Sequence, residues 1–243
     1  MARFETANVI INRAALQVGL VPSADPVASV DESYIQLTGL LNSVGQELIE
    51  MHPWQVLEKS FSLTTQVGDD GNYDLPDDFC YMIDQTGWDR TNRVRIGGPL
   101  SPQDWAYLEG RDLVSQSIYA SFRLVDAKFS IYPQPPPVGL EINFKYINRN
   151  WCQATGTLEP QDTIQQGSDI VLYEPVLAVK FLKAQFLEAK GFDSTSARAE
   201  FENMFLSRTG KDVGAEIINA GNRGAGIPFL NGFYSVPDTG YGL

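Results

Sequence analysis

A chain of 243 residues, 43% hydrophobic and 20% charged, can bury a substantial core and fits either one or two domains. Its 18 basic against 30 acidic residues leave a formal net charge of −12. That balance excludes tight binding to a phosphate backbone by charge neutralisation and leaves only sliding, non-adhesive contact with DNA, because no surplus of Lys and Arg exists to displace counterions.

The start, Met1-Ala2-Arg3-Phe4-Glu5, leads into apolar positions interrupted by Asn8, Asn12 and Arg13, so no secretory leader is expected. Ala7, Ile11, Ala14 and Val18 at helical spacing predict a first helix over 5–18, stopped by Gly19 and Pro22. Val30, Tyr34, Leu37, Leu41, Val44, Leu48 and Met51 alternate four and three residues apart. They predict a second helix of about six turns with a single apolar stripe. Burying each large side chain of such a stripe is worth roughly 1.5–3 kcal/mol, so the stripe must pack on something. Its partner is a helix of the same subunit or, alternatively, a neighbouring copy. Pro53 ends this helix, and Trp54 and Leu57 read as core anchors.

From Phe61 the texture changes to β. Segments 61–67 and 73–75 flank Gly68-Asp69-Asp70-Gly71-Asn72 and predict a hairpin. The Asp pair lacks the ligand spacing of a calcium loop, and turn chemistry accounts for it. Further strands are predicted over 81–86, 93–96, 118–125, 128–132 and 140–146, with a tight turn at Asp126-Ala127. A short helix over 102–108 carries Trp105, and Pro133 with Pro135-Pro136-Pro137 breaks the sheet before its last strand. Helix returns near Tyr173, with Pro175 in the first turn, an apolar face of Val176, Leu177, Phe181, Ala184 and Leu187, and Gly191 at its end. Ser194 or Ser196 caps a last helix with Ala197, Phe201, Met204 and Phe205 inward. Beyond Gly210 the chain is rich in Gly and Asn but keeps Phe229, Phe233, Tyr234, Tyr241 and Leu243. Too aperiodic to build a core, this tail reads as an arm that orders on a partner surface.

The predicted fold class is α+β. A bundle of about four helices comes from residues 1–58 and 168–213, an antiparallel β-rich lobe is inserted over 59–167, and an extended C-terminal arm covers 214–243. No run approaches the ~20 apolar residues of a membrane helix, so no membrane anchor is expected.

The sequence offers little concentrated chemistry. The single histidine, His52, sits at a helix end, where a positive charge complements the helix dipole. Cys80 and Cys152 fall in no metal-ligand spacing and read as two buried free thiols, a disulfide being the alternative. There is no Gly-x-Ser-x-Gly elbow and no phosphate-binding loop; Gly221-x-x-Gly224-x-Gly226 lacks the strand and helix that a dinucleotide site requires. Paired carboxylates, Asp69-Asp70 and Asp77-Asp78, leave open a glycosidase-like or peptidoglycan hydrolase activity. A receptor- or carbohydrate-binding β module is the other alternative. No catalytic residue, cofactor or metal is expected.

Several stretches resemble the head-to-tail adaptor (head-completion, or tail tubular A-type) proteins of short-tailed bacteriophages. They are the opening Thr6-Ala7-Asn8-Val9-Ile10-Ile11-Asn12-Arg13-Ala14-Ala15 through Gly19-Leu20, the long helix ending in Pro53-Trp54, and the strand Phe61-Ser62-Leu63-Thr64-Thr65. Tyr73-Asp74-Leu75-Pro76-Asp77-Asp78-Phe79 follows, then a helix from Glu174 to Gly191 with a further helix behind it. Their order carries the resemblance over about 5–215. It implies a non-enzymatic structural subunit of the virion neck, made in the host cytoplasm. Its implied partners are the portal protein, the tail nozzle protein, further copies in a dodecameric ring, and genome DNA passing without sequence-specific binding. The arm residues Phe229, Phe233, Tyr234, Tyr241 and Leu243 are the expected contacts to the portal or a neighbouring subunit.

Overall fold

The computed structural model describes residues 4–111 and 121–212. β1 (Glu5–Thr6) runs straight into α1 (Ala7–Gln17). The N–H groups of Ala7 and Asn8 donate to the carbonyls of Asp169 and Gly167 at 2.8 and 2.9 Å, which satisfies donors that a helix start leaves orphaned. Ala7, Ile10, Ile11, Ala14 and Ala15 form its buried face, and Gly19 at φ +81° closes it as expected.

In α2 (Glu32–Met51) the Asp31 carboxylate accepts from the Ser33 N–H and caps the helix. The predicted stripe is buried from Tyr34 to Leu48 but shorter at both ends. Val30, 94% exposed, precedes the cap, and Met51, 46% exposed, is the last helical residue; Gly45 and Ile49 widen the buried face instead. A 3-10 turn (Gln55–Leu57) then leads through β2 (Glu58–Thr64), β3 (Asn72–Asp74), β4 (Phe79–Met82), β5 (Trp88–Asp89) and β6 (Val94–Arg95) to α3 (Pro102–Arg111). After it come β7 (Ser121–Val125), β8 (Lys128–Tyr132), β9 (Glu141–Asn148), β10 (Cys152–Gln153), β11 (Pro160–Gln161) and β12 (Ile170–Val171). The described chain finishes with α4 (Pro175–Ala189) and α5 (Thr195–Asp212).

The strands form three antiparallel sheets, so the class is mixed helix and sheet, compatible with α+β. In the largest, β9 pairs along one edge with β2, from Glu58↔Ile147 to Thr64↔Glu141, and along the other with β4 and β5, with β6 beyond β5. A second sheet has the order β3-β8-β7, and its β7–β8 turn places Asp126 and Ala127 both at φ +55°, the left-handed pair of a tight hairpin. The two sheets face each other. Phe129 of β8 lies stacked between Phe144 of β9 at 5.0 Å and Phe122 of β7 at 4.9 Å, with Ile96, Ile131 and Ile142 around them.

The hairpin predicted from 61–67 and 73–75 does not form, because β2 pairs with β9 and β3 with β8. Thr65 explains the divergence. Its backbone N–H donates to the Leu140 carbonyl, while its hydroxyl donates to Pro137 O at 2.6 Å and accepts from Leu140 N–H at 2.9 Å. The chain is thus tied to the start of β9 before the turn begins. Turn chemistry fixes where a chain reverses, and not which strand it then joins.

A second core gathers the buried faces of α1, α2, α4 and α5 with Leu57, Ile147, Trp151, Cys152, Ile164 and Tyr173. The small sheet β1-β12-β10-β11 lies along it. α4 packs against α1, α2 and α5, with the Phe181 and Phe201 rings stacked at 4.1 Å. Surrounded in this way, α4 buries Val179, Leu182 and Phe186 besides the predicted Leu177, Phe181 and Ala184, and leaves Val176 exposed. Periodicity cannot isolate one face of a helix that is apolar on most sides.

Candidate functional site

The two cores meet where Asp78–Ile83 and the end of β9 approach α2. Asp78 accepts from Lys59 of β2, with which it forms an ion pair, and from the Tyr146 hydroxyl at 2.9 Å; its carbonyl takes the Arg149 N–H at 2.8 Å. The next side chain, Phe79, packs on Tyr146 at 5.5 Å and Phe144 at 6.5 Å. Tyr81 donates its hydroxyl to the Ile49 carbonyl of α2 at 2.9 Å, and the Cys80 Sγ lies 3.8 Å from a Glu50 carboxylate oxygen. Arg149 in turn pairs with Asp162. The end of the Leu-Pro-x-Asp-Phe stretch and the residues just after it, Asp78 to Tyr81, are therefore a rivet that fastens β2, β9 and α2 together.

The electrostatics follow from these contacts. Burial is the largest influence on Asp78 and opposes its ionisation, yet Lys59 and Tyr146 together hold its carboxyl below the ordinary range. Burial, reinforced by Asp78, pushes the Tyr146 phenol up to about 12. The hydrogen bond from Arg149 keeps Asp162 low. Burial, then Glu50, raises the Cys80 thiol, while burial with Asp169 and Asp162 pushes Cys152 up to about 12. Both cysteines are free.

Around the rivet lie two clefts that share Arg149. One, of 390 Å³, is lined by Gln46, Glu47, Glu50, Cys80, Arg149 and Asp162. The other, of 460 Å³, lies between Pro76, Asp77, Phe79, Leu124, Asp126 and Arg149. A smaller one, of 120 Å³, sits at the end of α5 among Trp54, Tyr173, Glu174, Arg208, Lys211 and Asp212. There His52, as predicted, occupies the helix terminus as the C-cap of α2. Its Nε2 is 3.4 Å from the Asp212 carboxylate, which also accepts the Gln55 N–H at 2.9 Å.

A thiol nucleophile requires a depressed pKa, and both thiols are shifted the other way. A general acid needs a carboxyl held neutral near pH 7, whereas Asp70, Asp78, Asp162 and Asp193 are held low. Three of the four carboxylates raised by the sequence are employed structurally. Asp69 accepts from Gln66 N–H and the Tyr73 hydroxyl, Asp70 from Asn72 N–H, and Asp78 from Lys59 and Tyr146. Among the described residues no group of three or more His, Cys, Asp or Glu side chains is arranged to hold a metal ion, and no helix is long and apolar enough to cross a membrane.

Phe229, Phe233, Tyr234, Tyr241 and Leu243, the contacts expected from the sequence, lie outside the described residues. Sequence reading singled out the 73–79 stretch but missed Lys59, Tyr146, Arg149 and Asp162, whose links to it span long separations in the chain and leave no local pattern.

The chain belongs to the SU10 adaptor protein family, which matches residues 6–224. By family it is a bacteriophage adaptor and a component of the virion, in a family of structural proteins and not of enzymes. No curated protein matches it.

Proposed function

We propose that this chain is the subunit of a ring that joins the portal to the tail nozzle at the virion neck and surrounds the path of the DNA. Family membership over residues 6–224 is the observation that carries the reading. The subunit works by burying surface against copies and neighbours, with no bond made or broken. A head-to-tail contact repeated about an axis closes into a ring when its rotation closes, and twelve copies is the number we adopt. The net charge of −12 supports a channel wall that repels the genome and lets it pass without sticking. The helices of 1–58 and 168–213 and the strands of 59–167 act as bundle and lobe. The arm over 214–243, through Phe229, Phe233, Tyr234, Tyr241 and Leu243, anchors the ring on the portal, where weak contacts repeated around the ring give avidity.

The test is attachment to purified portal, followed by sedimentation. The full chain is expected to attach in many copies while remaining monomeric alone, and a chain lacking 214–243 to lose attachment. Unchanged attachment of the shortened chain would rule out the arm, and a stable ring without portal would rule out templated assembly. Clearing of peptidoglycan in a zymogram, lost on replacing one carboxylate, would replace the whole reading with a hydrolase.

A further inference from the structure

Most Lys and Arg side chains among the described residues lie in ion pairs, and Arg123 and Lys190 sit over aromatic rings. Arg90, Arg93 and Arg95 do neither. All three are exposed, and they fall within six residues of the β5–β6 hairpin, Arg90 and Arg93 on its turn and Arg95 in β6. Trp88, the cross-strand partner of Arg95, is 37% exposed beside them.

The turn is held rigidly. Buried Asp89 accepts from the Asn92 N–H at 3.0 Å and from its side-chain amide at 2.7 Å. Arg90 N–H donates to the Glu141 carbonyl at 2.7 Å. The Thr91 hydroxyl donates to Gly139 O and accepts from Glu141 N–H, each at 2.9 Å. Three guanidinium groups are thus presented on a fixed backbone, which lowers the entropy lost when they bind.

The opposite side of the paired sheets carries the opposite charge. Gly97, just after β6, bridges to Ser121 of β7, so β6 and β7 share one side. Since β8 faces β9, β3 and β2 share the other. Along β3 and the turns on either side of it Asp70, Asp74 and Asp77 are exposed; Lys128 lies 3.7 Å from Asp74 in an ion pair, and Arg149 shares a cleft with Asp77. β3 is an outermost strand of its sheet, and outermost strands need covering or charge to stay out of wrong pairings.

We propose that the β5–β6 turn of one copy docks on the acidic β3 edge of the next, forming the head-to-tail contact of the ring. The inference rests on the ring reading above. A heterologous contact requires two different complementary patches on opposite sides of one subunit, and both are present here. Duplex DNA fits less well as the occupant of the arginine turn. It would have to approach a chain of net charge −12, and it would leave the acidic edge unexplained.

The experiment is charge exchange in the full chain, read as copies gathered on purified portal by sedimentation. Changing Arg90→Glu, Arg93→Glu and Arg95→Glu together is expected to raise the concentration for half-assembly by about tenfold, as three exposed ion pairs should. Asp70→Lys, Asp74→Lys and Asp77→Lys together should do the same, and the six changes in one chain should restore assembly. The milder set Arg90→Gln, Arg93→Gln and Arg95→Gln, checked for an unchanged unfolding midpoint, guards against misfolding and should weaken assembly in the same direction. If wild-type copies gather on the portal but the exchanges leave them unaffected, or the six changes fail to rescue, this contact is wrong and the ring stands. If wild-type copies never gather, both fall. Loss of binding to a mixed-sequence duplex by anisotropy, with assembly intact, would assign the turn to DNA and overturn the proposal.

Discussion

Two glycines of α2 should respond to the same substitution with opposite signs. A Cβ on Gly39 meets nothing within 4 Å, so Gly39→Ala gains only the helix propensity of Ala over Gly, about 1 kcal/mol. A Cβ on Gly45 falls 2.2–2.5 Å from carbons of the Trp151 indole. That ring has little room to retreat: it is fully buried, donates its N–H to the Asp162 carbonyl at 2.7 Å, and stacks on Tyr173 at 6.1 Å. Tyr173 is held in turn by its hydroxyl, which donates to the Gly45 carbonyl at 2.9 Å. Overpacking of this kind costs about 1–3 kcal/mol and more where the neighbours cannot shift, so it outweighs the propensity gain. The propensity gain is common to both, so Gly45→Ala should lie below Gly39→Ala in stability by the overpacking cost, about 1–3 kcal/mol or more. Urea unfolding followed by far-UV circular dichroism measures the difference. Equal midpoints for the two variants would refute the close approach of α2 to Trp151.

Asp78→Asn should cost about 1 kcal/mol at pH 7 by dissolving the Lys59 and Tyr146 contacts. Folding lowers the Asp78 pKa, so its contribution is complete above the unfolded value of about 4 and is lost as pH falls through the folded value. The variant's acid-unfolding curve should accordingly be flatter in that range, and an identical curve would count against the rivet. Alkylation of the native protein at pH 8 should proceed slowly at half-buried Cys80 and spare Cys152, with two labels by mass spectrometry only after denaturation. Val30→Asp should change stability by less than about 0.5 kcal/mol, while Leu41→Ala should cost about 2–5 kcal/mol, as judged by chemical denaturation. Comparable losses would restore Val30 to the buried stripe.

Where a signal is local, the sequence disclosed it. The 4-3 spacing from Tyr34 to Leu48, Gly19 and Gly191 at left-handed helix ends, Pro175 in a first turn and the Asp126-Ala127 turn all stand where expected. Strand pairing was not legible, because Phe61–Leu63 and Tyr73 look like two arms of one hairpin until Thr65 and Leu140 are seen bonded across 75 residues. The small sheet built from Glu5–Thr6, Cys152–Gln153, Pro160–Gln161 and Ile170–Val171 escaped for a similar reason, since two-residue strands carry no period. At the candidate site the Leu-Pro-x-Asp-Phe stretch stood out, but its partners Lys59, Tyr146 and Arg149 are placed by tertiary packing. Gly45 was a usable clue that went unread: a glycine within an apolar helical stripe marks a point where something large comes close. The basic turn at 90–95 was hidden by the chain's overall acidity, which averages away a local cluster.

Imaging the intact phage particle with this subunit labelled tests the adaptor reading most directly. Label concentrated in a closed ring between head and tail is the expected result. Label at the distal tip of the tail, or none in the particle, would contradict it.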